Sequence, residues 1–280
     1  MLQRSPSWIV ARPPEDGMAH WLQRRFPARA AARAIRWKNV ALGMLFFQRS
    51  RKRPDRVRAL LLKWVAEQLP GRDIEKDFVP TYNPWDQRVC LVPDGDLFRA
   101  MREGRVSVVT DTIERFTKTG IRLASGKELA ADIVVTATGL VVKILGGIAI
   151  SVDGVPVNPA ERISYKGMML NDVPNMILSF GYTNASWTLK CDLTSRYFCR
   201  LLNHMDRHKL DLCVPRLPVE GVERQPMLDF SSGYVQRAAG SLPGQGAKPP
   251  WRVYQNYFKD VAALGLGTVT DGVMEFRKAG

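Results

Sequence analysis

The stretch Asp132-Ile-Val-Val-Thr-Ala-Thr-Gly139 decides the fold class that this sequence predicts. An acidic residue, a β-branched run and then Ala137-Thr-Gly139 are typical of a parallel strand that is covered on both faces and ends in a turn. Small residues there let a large ligand approach the backbone, and open α/β sheets bind ligands at that edge. The stretch therefore predicts a buried strand beside a cofactor; an ordinary core strand with a convenient turn is the alternative.

Length and composition predict a cytoplasmic globular protein. The chain has 280 residues, enough for one large domain or two modest ones, and 45% of them are hydrophobic. No apolar run approaches the roughly 20 residues of a membrane-spanning helix, and the amino-terminal residues lack the layout of a signal peptide. The four cysteines lack the density and pairing pattern of a disulfide scaffold.

The net charge of +14 is concentrated near the amino end, where residues 1–80 hold 17 Lys and Arg against 7 Asp and Glu. Residues 18–69 are predicted to form two basic amphipathic helices. Their apolar stripes are Trp37, Val40, Ala41, Met44 and Leu45 in the first helix, and Val57, Leu60, Leu61 and Trp64 in the second. The basic faces are interpreted as solvated, or as attracted to an anionic ligand or membrane surface. Nucleic-acid binding is not predicted, because no zinc-finger spacing, RNA-binding signature or basic zipper is present.

Further elements are predicted along the chain. Asp94-Gly-Asp96 is a plausible helix start, and a β-meander is expected at about 105–124. Residues 174–181 are predicted to form a second buried strand, followed by a polar loop and a helix over 187–206. His204 and His208 stand four residues apart without a further ligand, so no metal site is predicted.

The order of these motifs resembles that of flavin-dependent monooxygenases, and more narrowly the Baeyer–Villiger group of the ethionamide-activating type. Gln3-Arg-Ser-Pro6, Gln87-Arg88, the meander, Ala-Thr-Gly and Pro174-Asn-Met176 carry the resemblance. It implies an α/β fold with two Rossmann-like dinucleotide-binding domains, a helical insertion at about 15–80 and the small meander. Residues 1–137 would belong to the NADPH-binding domain, and residues 138–280 to the FAD-binding domain and a wrapping tail.

The resemblance covers nearly the whole chain but only the later part of such a protein. Family members begin with a glycine-rich FAD fingerprint and carry a second one for NADPH, with a Phe-Gly-His-Trp signature between them. This sequence contains no G-x-G-x-x-G. Both loops that cradle a pyrophosphate are therefore missing from these 280 residues, and the chain is expected to be a C-terminal portion.

The resemblance implies an enzyme that uses FAD and NADPH to insert one oxygen atom of O₂ through a C4a-peroxyflavin. The substrate would be a small ketone, or a sulfur or nitrogen heteroatom in a sulfide or thioamide. Two other interpretations remain: a catalytically inactive remnant that binds a partner, and a peripheral-membrane module that uses residues 18–69. The sequence does not indicate an oligomeric state.

Arg88 is the candidate catalytic residue, since an arginine at this place in similar enzymes stabilises the flavin peroxyanion. A structural ion pair of Arg88 with Asp86 or Asp94 is the alternative. Gln87 stands where the group often has lysine. The resemblance further implies that Arg4, helped by Ser5, selects NADPH through its 2′-phosphate.

The other candidate cofactor-binding residues follow from the resemblance alone. Thr138 and Gly139 would line the passage between the two cofactor halves. The flavin loop would present Asn184, Ser186, Trp187 and Thr188, and a tail segment that closes over NADPH would present Trp251 and Asn256. Packing in the core is an open alternative for both tryptophans.

Overall fold

A computed structural model describes residues 1–228 and 230–278. The chain divides into two compact units, Met1–Gly139 and Leu140–Gly280. Their assignment to NADPH and FAD stays a prediction.

The first unit combines short strands with helices. Its strands are β1 (Leu2–Gln3), β2 (Trp8–Arg12), β3 (Val89–Pro93), β4 (Val109–Thr110), β5 (Ile113–Phe116), β6 (Gly120–Leu123) and β7 (Glu128–Ala130). Its helices are α1 (Gly17–Arg25), α2 (Ala28–Lys52), α3 (Pro54–Gln68), α4 (Glu75–Phe78) and α5 (Asp96–Arg102).

Two parallel strand pairs organise this unit. β1 pairs with β4, and β2 pairs with β3 in the register Trp8↔Val89. The connection from β2 to β3 runs through α1–α4, as a parallel pair requires a long crossover. Trp8 and Leu61 are almost fully buried where α3 packs on this pair. The unit is therefore α/β, as the sequence predicts.

Residues 17–68 form three helices where the sequence predicted two. The Asp16 carboxylate caps α1 by accepting from Ala19 N at 3.0 Å, and Pro54 occupies the first turn of α3. The predicted apolar stripes are only half buried. Val40, Met44, Val57 and Leu61 are buried, but Trp37, Leu45, Leu60 and Trp64 are exposed.

The β-meander lies later than the 105–124 expected. It comprises β5, β6 and β7, which pair antiparallel over Ile113–Ala130. β4 instead pairs parallel with β1. α5 confirms the predicted helix after Asp94-Gly95, with Phe98 and Met101 buried.

The second unit also combines short strands with helices. Its strands are β8 (Ile150–Val152), β9 (Val155–Val157), β10 (Ser164–Tyr165), β11 (Met169–Leu170), β12 (Leu212–Pro215), β13 (Gln225–Pro226), β14 (Gly244–Gln245) and β15 (Met274–Arg277). Its α-helices are α6 (Trp187–His208), α7 (Gly233–Ala238) and α8 (Tyr257–Asp260), and α8 continues into a π-helical stretch over Val261–Leu266.

α6 confirms the helix predicted over 187–206 and extends it by two residues. Its buried positions recur at helical spacing, namely Lys190, Leu193, Thr194, Tyr197, Leu201 and Met205. Lys209, the residue that follows the helix, adopts the left-handed conformation.

The two stretches predicted as buried strands are not strands. Residues 132–139 are irregular and exposed, with Ile133 at 84% and Val135 at 86% exposure. Residues 174–181 are irregular and mostly only partly buried. β-Branched residues favour a strand only where a neighbouring strand supplies hydrogen bonds and side-chain contacts. No described strand pairs with either stretch, so the prediction was wrong for these residues.

Within the described ranges, no helix combines the length and apolar character needed to cross a membrane.

Candidate functional site

A tight turn immediately precedes β3 and presents Gln87 and Arg88. Asp86 N donates to Asn83 O at 3.0 Å, and Asn83 N donates to the Asp86 carboxylate at 3.2 Å. The indole Nε1 of Trp8 donates to Tyr82 O at 2.9 Å, which fixes the start of the turn against β2. These hydrogen bonds fix the turn of residues 82–86, which Gln87 and Arg88 follow directly.

Trp85, within this turn, has a φ of +70°. A non-glycine residue in the left-handed region costs about 1–2 kcal/mol, and such strain concentrates at functional sites. Its ring packs edge-on against Phe47 with the ring centroids 5.6 Å apart, so a contact with α2 holds the strained conformation.

Arg88 is exposed, and Gln87 is partly buried. Both carboxylates that the sequence offered as structural partners are engaged elsewhere: Asp86 pairs with Arg51, and Asp94 with Arg99 at 3.1 Å. Among the described residues, the Arg88 guanidinium has no ion-pair partner. The structural-pair alternative therefore finds no support in the geometry.

Arg4 and Ser5 follow the carboxyl end of β1 and are exposed. The end of β1 is tied to its neighbours by Gln3, whose Nε2 donates to Thr110 Oγ1 at 2.8 Å and to Asp77 O at 2.7 Å. The Thr110 hydroxyl in turn donates to the Asp77 carboxylate at 2.7 Å. Arg4 thus follows a hydrogen-bonded pair of parallel strands, at the edge where α/β sheets bind nucleotides.

Thr138 and Gly139 lie exposed in the irregular stretch that ends the first unit. They do not follow a strand end. Gly139 has a φ of +133°, a backbone conformation that L side chains rarely adopt.

In the second unit, the loop before α6 presents the predicted flavin-facing residues. Gly181 lies against the indole of Trp187, and a Cβ at position 181 would overlap that ring. Phe180 packs on the same indole with centroids 5.3 Å apart, yet Trp187 remains 50% exposed. Trp187 is therefore not a core residue of α6 in this structure.

Asn184 is 7% exposed, and its Nδ2 donates to Gln255 O at 2.9 Å. Its Oδ1 is buried without a hydrogen-bond partner among the described residues. Ser186 and Thr188 are exposed at the first turn of α6, with their hydroxyls 2.8 Å apart. The loop thus offers an unused buried acceptor beside a helix amino terminus that favours negative charge.

Trp251 and Asn256 both have structural partners. Trp251 is buried and packs edge-on against Tyr165 with centroids 5.8 Å apart. The Asn256 carboxamide caps α8 by accepting from Phe258 N and Lys259 N at 3.0 and 3.2 Å. Packing, one of the two alternatives for Trp251, is thus observed; contact of either residue with NADPH stays a prediction.

Sequence reasoning missed a buried polar network beside this loop. The Tyr182 hydroxyl donates to the Asp260 carboxylate at 2.6 Å, and Lys190 Nζ lies 2.7 Å from the other oxygen. Burial raises the pKa values of Asp260 and Tyr182 and lowers the pKa of Lys190. The attraction between Lys190 and Asp260 opposes the shifts of these two groups. A lysine within the apolar stripe of α6 is the sequence signal that could have indicated this network.

Comparison with known proteins identifies what the chain is similar to. No protein-family model matches it. It is 51% identical over 279 residues to the FAD-containing monooxygenase EthA of Mycobacterium tuberculosis, covering 99% of this chain and 57% of that protein. It is 46% identical over 281 residues to a probable FAD-binding monooxygenase AlmA of an Acinetobacter species, covering 100% of this chain and 56% of that protein.

Among solved structures, oxidised steroid monooxygenase bound to NADP matches with a TM-score of 0.64 at 14% identity. That match covers 99% of this chain and 62% of the other. At this identity the likeness concerns the fold alone, and it confirms the predicted α/β class. The chain spans a little over half the length of the two curated relatives. Along almost its whole length, the chain is similar in sequence to FAD-containing monooxygenases.

Proposed function

We propose that this chain forms the greater part of an FAD- and NADPH-dependent monooxygenase. The observation that carries the proposal is the 51% identity to a FAD-containing monooxygenase along 99% of the chain. The substrate would be a small ketone, or a molecule with a soft sulfur or nitrogen atom, and the co-substrate O₂. Bound FAD would supply the redox chemistry, so the chain's own part is binding, positioning and charge stabilisation.

The residues present fit the flavin and the nicotinamide nucleotide in part. The unused Asn184 Oδ1 can accept a hydrogen bond from a ring N–H, and the amino terminus of α6 favours a partially negative ring edge. Arg4 offers a cation at a strand end. The glycine-rich loop that usually cradles a pyrophosphate, in contrast, does not occur in these 280 residues.

Arg88 would act as a fixed cation beside the negative charge that develops on oxygen during the reaction. The planar guanidinium of an arginine suits this role, and Arg88 follows the hydrogen-bonded turn of residues 83–86. Gln87 would add amide hydrogen bonds. Thr138 and Gly139 would give a cofactor room to approach the backbone, because neither has a bulky side chain.

Replacing Arg4 by alanine is expected to weaken NADP⁺ binding by about 10- to 100-fold and leave NAD⁺ binding nearly unchanged, since Arg4 would pair with the 2′-phosphate that only NADP⁺ carries. Titration of both nucleotides by calorimetry checks this. Arg12→Ala, at the exposed end of β2, is the matched control. An equal loss of affinity for both nucleotides in Arg4→Ala would contradict the assignment.

The helices α1–α3 favour a second candidate role, contact with an anionic membrane surface. Exposed aromatic residues stand beside basic ones there: Trp21 is 55% and Phe26 48% exposed next to Arg24 and Arg25. Aromatic rings with flanking arginines suit the lipid head-group region.

Flotation with vesicles of phosphatidylcholine and phosphatidylserine tests this role. Binding is expected to fall with rising salt and to be abolished by Arg29, Arg33 and Arg36→Glu. Arg196, Arg207 and Arg237→Glu, which alter as many charges elsewhere, should keep it. Equal binding by both triple variants would exclude a specific surface on these helices.

A further inference from the structure

The loop 182–186, which precedes α6, is hydrogen-bonded to the tail segment 251–260, and both lie in the second unit. Thr183 donates from its backbone N and its Oγ1 to Gln255 Oε1, at 3.0 and 3.1 Å. Asn184 Nδ2 donates to the backbone O of the same glutamine at 2.9 Å. A single residue of the tail therefore accepts three hydrogen bonds from the loop.

A buried carboxylate makes a second connection between the same two segments. Asp260 is 2% exposed at the end of α8. One of its oxygens accepts from the Tyr182 hydroxyl at 2.6 Å, and the other lies 2.7 Å from Lys190 Nζ on α6. In such a dry environment, hydrogen bonds to a charged group are strong and hold one geometry.

From this pattern we infer that Gln255 and Asp260 are positioning residues that make the loop and the tail segment move as one body. The inference rests on the proposed function, in which the loop faces FAD and the tail faces NADPH. A ligand that orders one segment then orders the other, so each cofactor raises the affinity for its companion by the same factor.

Variants of Gln255 distinguish the positioning role from a general contribution to stability. Its side chain acts through one acceptor oxygen. Gln255→Glu keeps that oxygen, whereas Gln255→Ala removes it. The backbone bond from Asn184 survives in both variants. Gln236→Ala is the matched control, because Gln236 in the same unit makes one hydrogen bond to a backbone carbonyl, Phe230 O, at 2.8 Å.

Hydrogen exchange of the cofactor-free chain is the first measurement. In Gln255→Ala, the Thr183 amide is expected to exchange about tenfold faster than in the wild type. Gln255→Glu and Gln236→Ala should retain the wild-type rate at Thr183. Unchanged exchange in Gln255→Ala would overturn the inference without touching the proposed function.

The second measurement is the ratio of NADP⁺ dissociation constants without and with saturating FAD. A ratio of about 10 is expected for the wild type and for Gln255→Glu, and a ratio near 1 for Gln255→Ala. An equal ratio in all three would contradict the coupling, and a wild type that binds no FAD would overturn both the coupling and the proposed function. Asp260→Asn keeps an acceptor for Tyr182 but loses the negative charge that strengthens the bond, so the ratio should fall below that of the wild type. A wild-type ratio in this variant would remove Asp260 from the network.

Discussion

Lys190→Met is expected to lower the free energy of unfolding by about 3 to 5 kcal/mol. The substitution leaves the Asp260 carboxylate buried, with Tyr182 as its remaining donor. Removing one partner of a buried ion pair costs this much because the other charge stays out of water without compensation. Denaturant unfolding followed by tryptophan fluorescence measures the change.

Two further variants define the cause of that loss. Lys63→Met removes an exposed lysine that lies 3.9 Å from Glu67 one helical turn away, and it should cost less than about 1 kcal/mol. Lys190→Met combined with Asp260→Asn removes both charges but keeps an acceptor for Tyr182, and most of the stability should return. If the double variant is as unstable as Lys190→Met, packing of the lysine side chain is responsible rather than the unpaired charge.

Arg88→Ala is expected to slow NADPH-dependent oxygenation by about 100- to 1,000-fold, which is the typical effect of removing one group that stabilises charge in a transition state. The change should not disturb the fold, because Arg88 is exposed and the nearby carboxylates are paired with other arginines. Oxygen consumption with FAD and NADPH measures the rate.

The controls for Arg88 address charge and folding separately. Arg88→Lys keeps the charge but loses the planar fork, so its rate should fall between those of the wild type and Arg88→Ala. Arg105→Ala removes an exposed arginine that bonds Glu103 at 2.8 Å, and it should leave the rate unchanged. A wild-type rate in Arg88→Ala would remove Arg88 from the chemistry.

Local patterns in the sequence predicted helices better than strands. α5 and α6 form where spacing placed them, since the apolar stripe of a helix lies within the helix itself. The stretches 132–139 and 174–181 carry strand-forming residues but lack a described strand to pair with. Strand formation depends on residues far away in sequence, which a local pattern does not contain.

The sequence indicated only some residues of the candidate site. Family resemblance drew attention to Asn184, and the structure shows why its carboxamide is available: the backbone of Gln255 satisfies only its nitrogen. Gln255 and Asp260 escaped notice because their partners lie about 70 residues away, and no local signal indicated them. Lys190 was also missed, although a cation in an apolar stripe is a local signal for a buried partner.

The most direct test of the proposed function is whether the purified 280-residue chain retains FAD. The chain is mixed with excess FAD, passed through a desalting column and examined by visible spectroscopy, and NADPH is then added in air. The proposal predicts a flavin spectrum in the protein fraction that bleaches with NADPH and returns as oxygen is consumed. Flavin that elutes entirely with the small molecules would contradict it and would leave the chain as a segment that binds no flavin by itself.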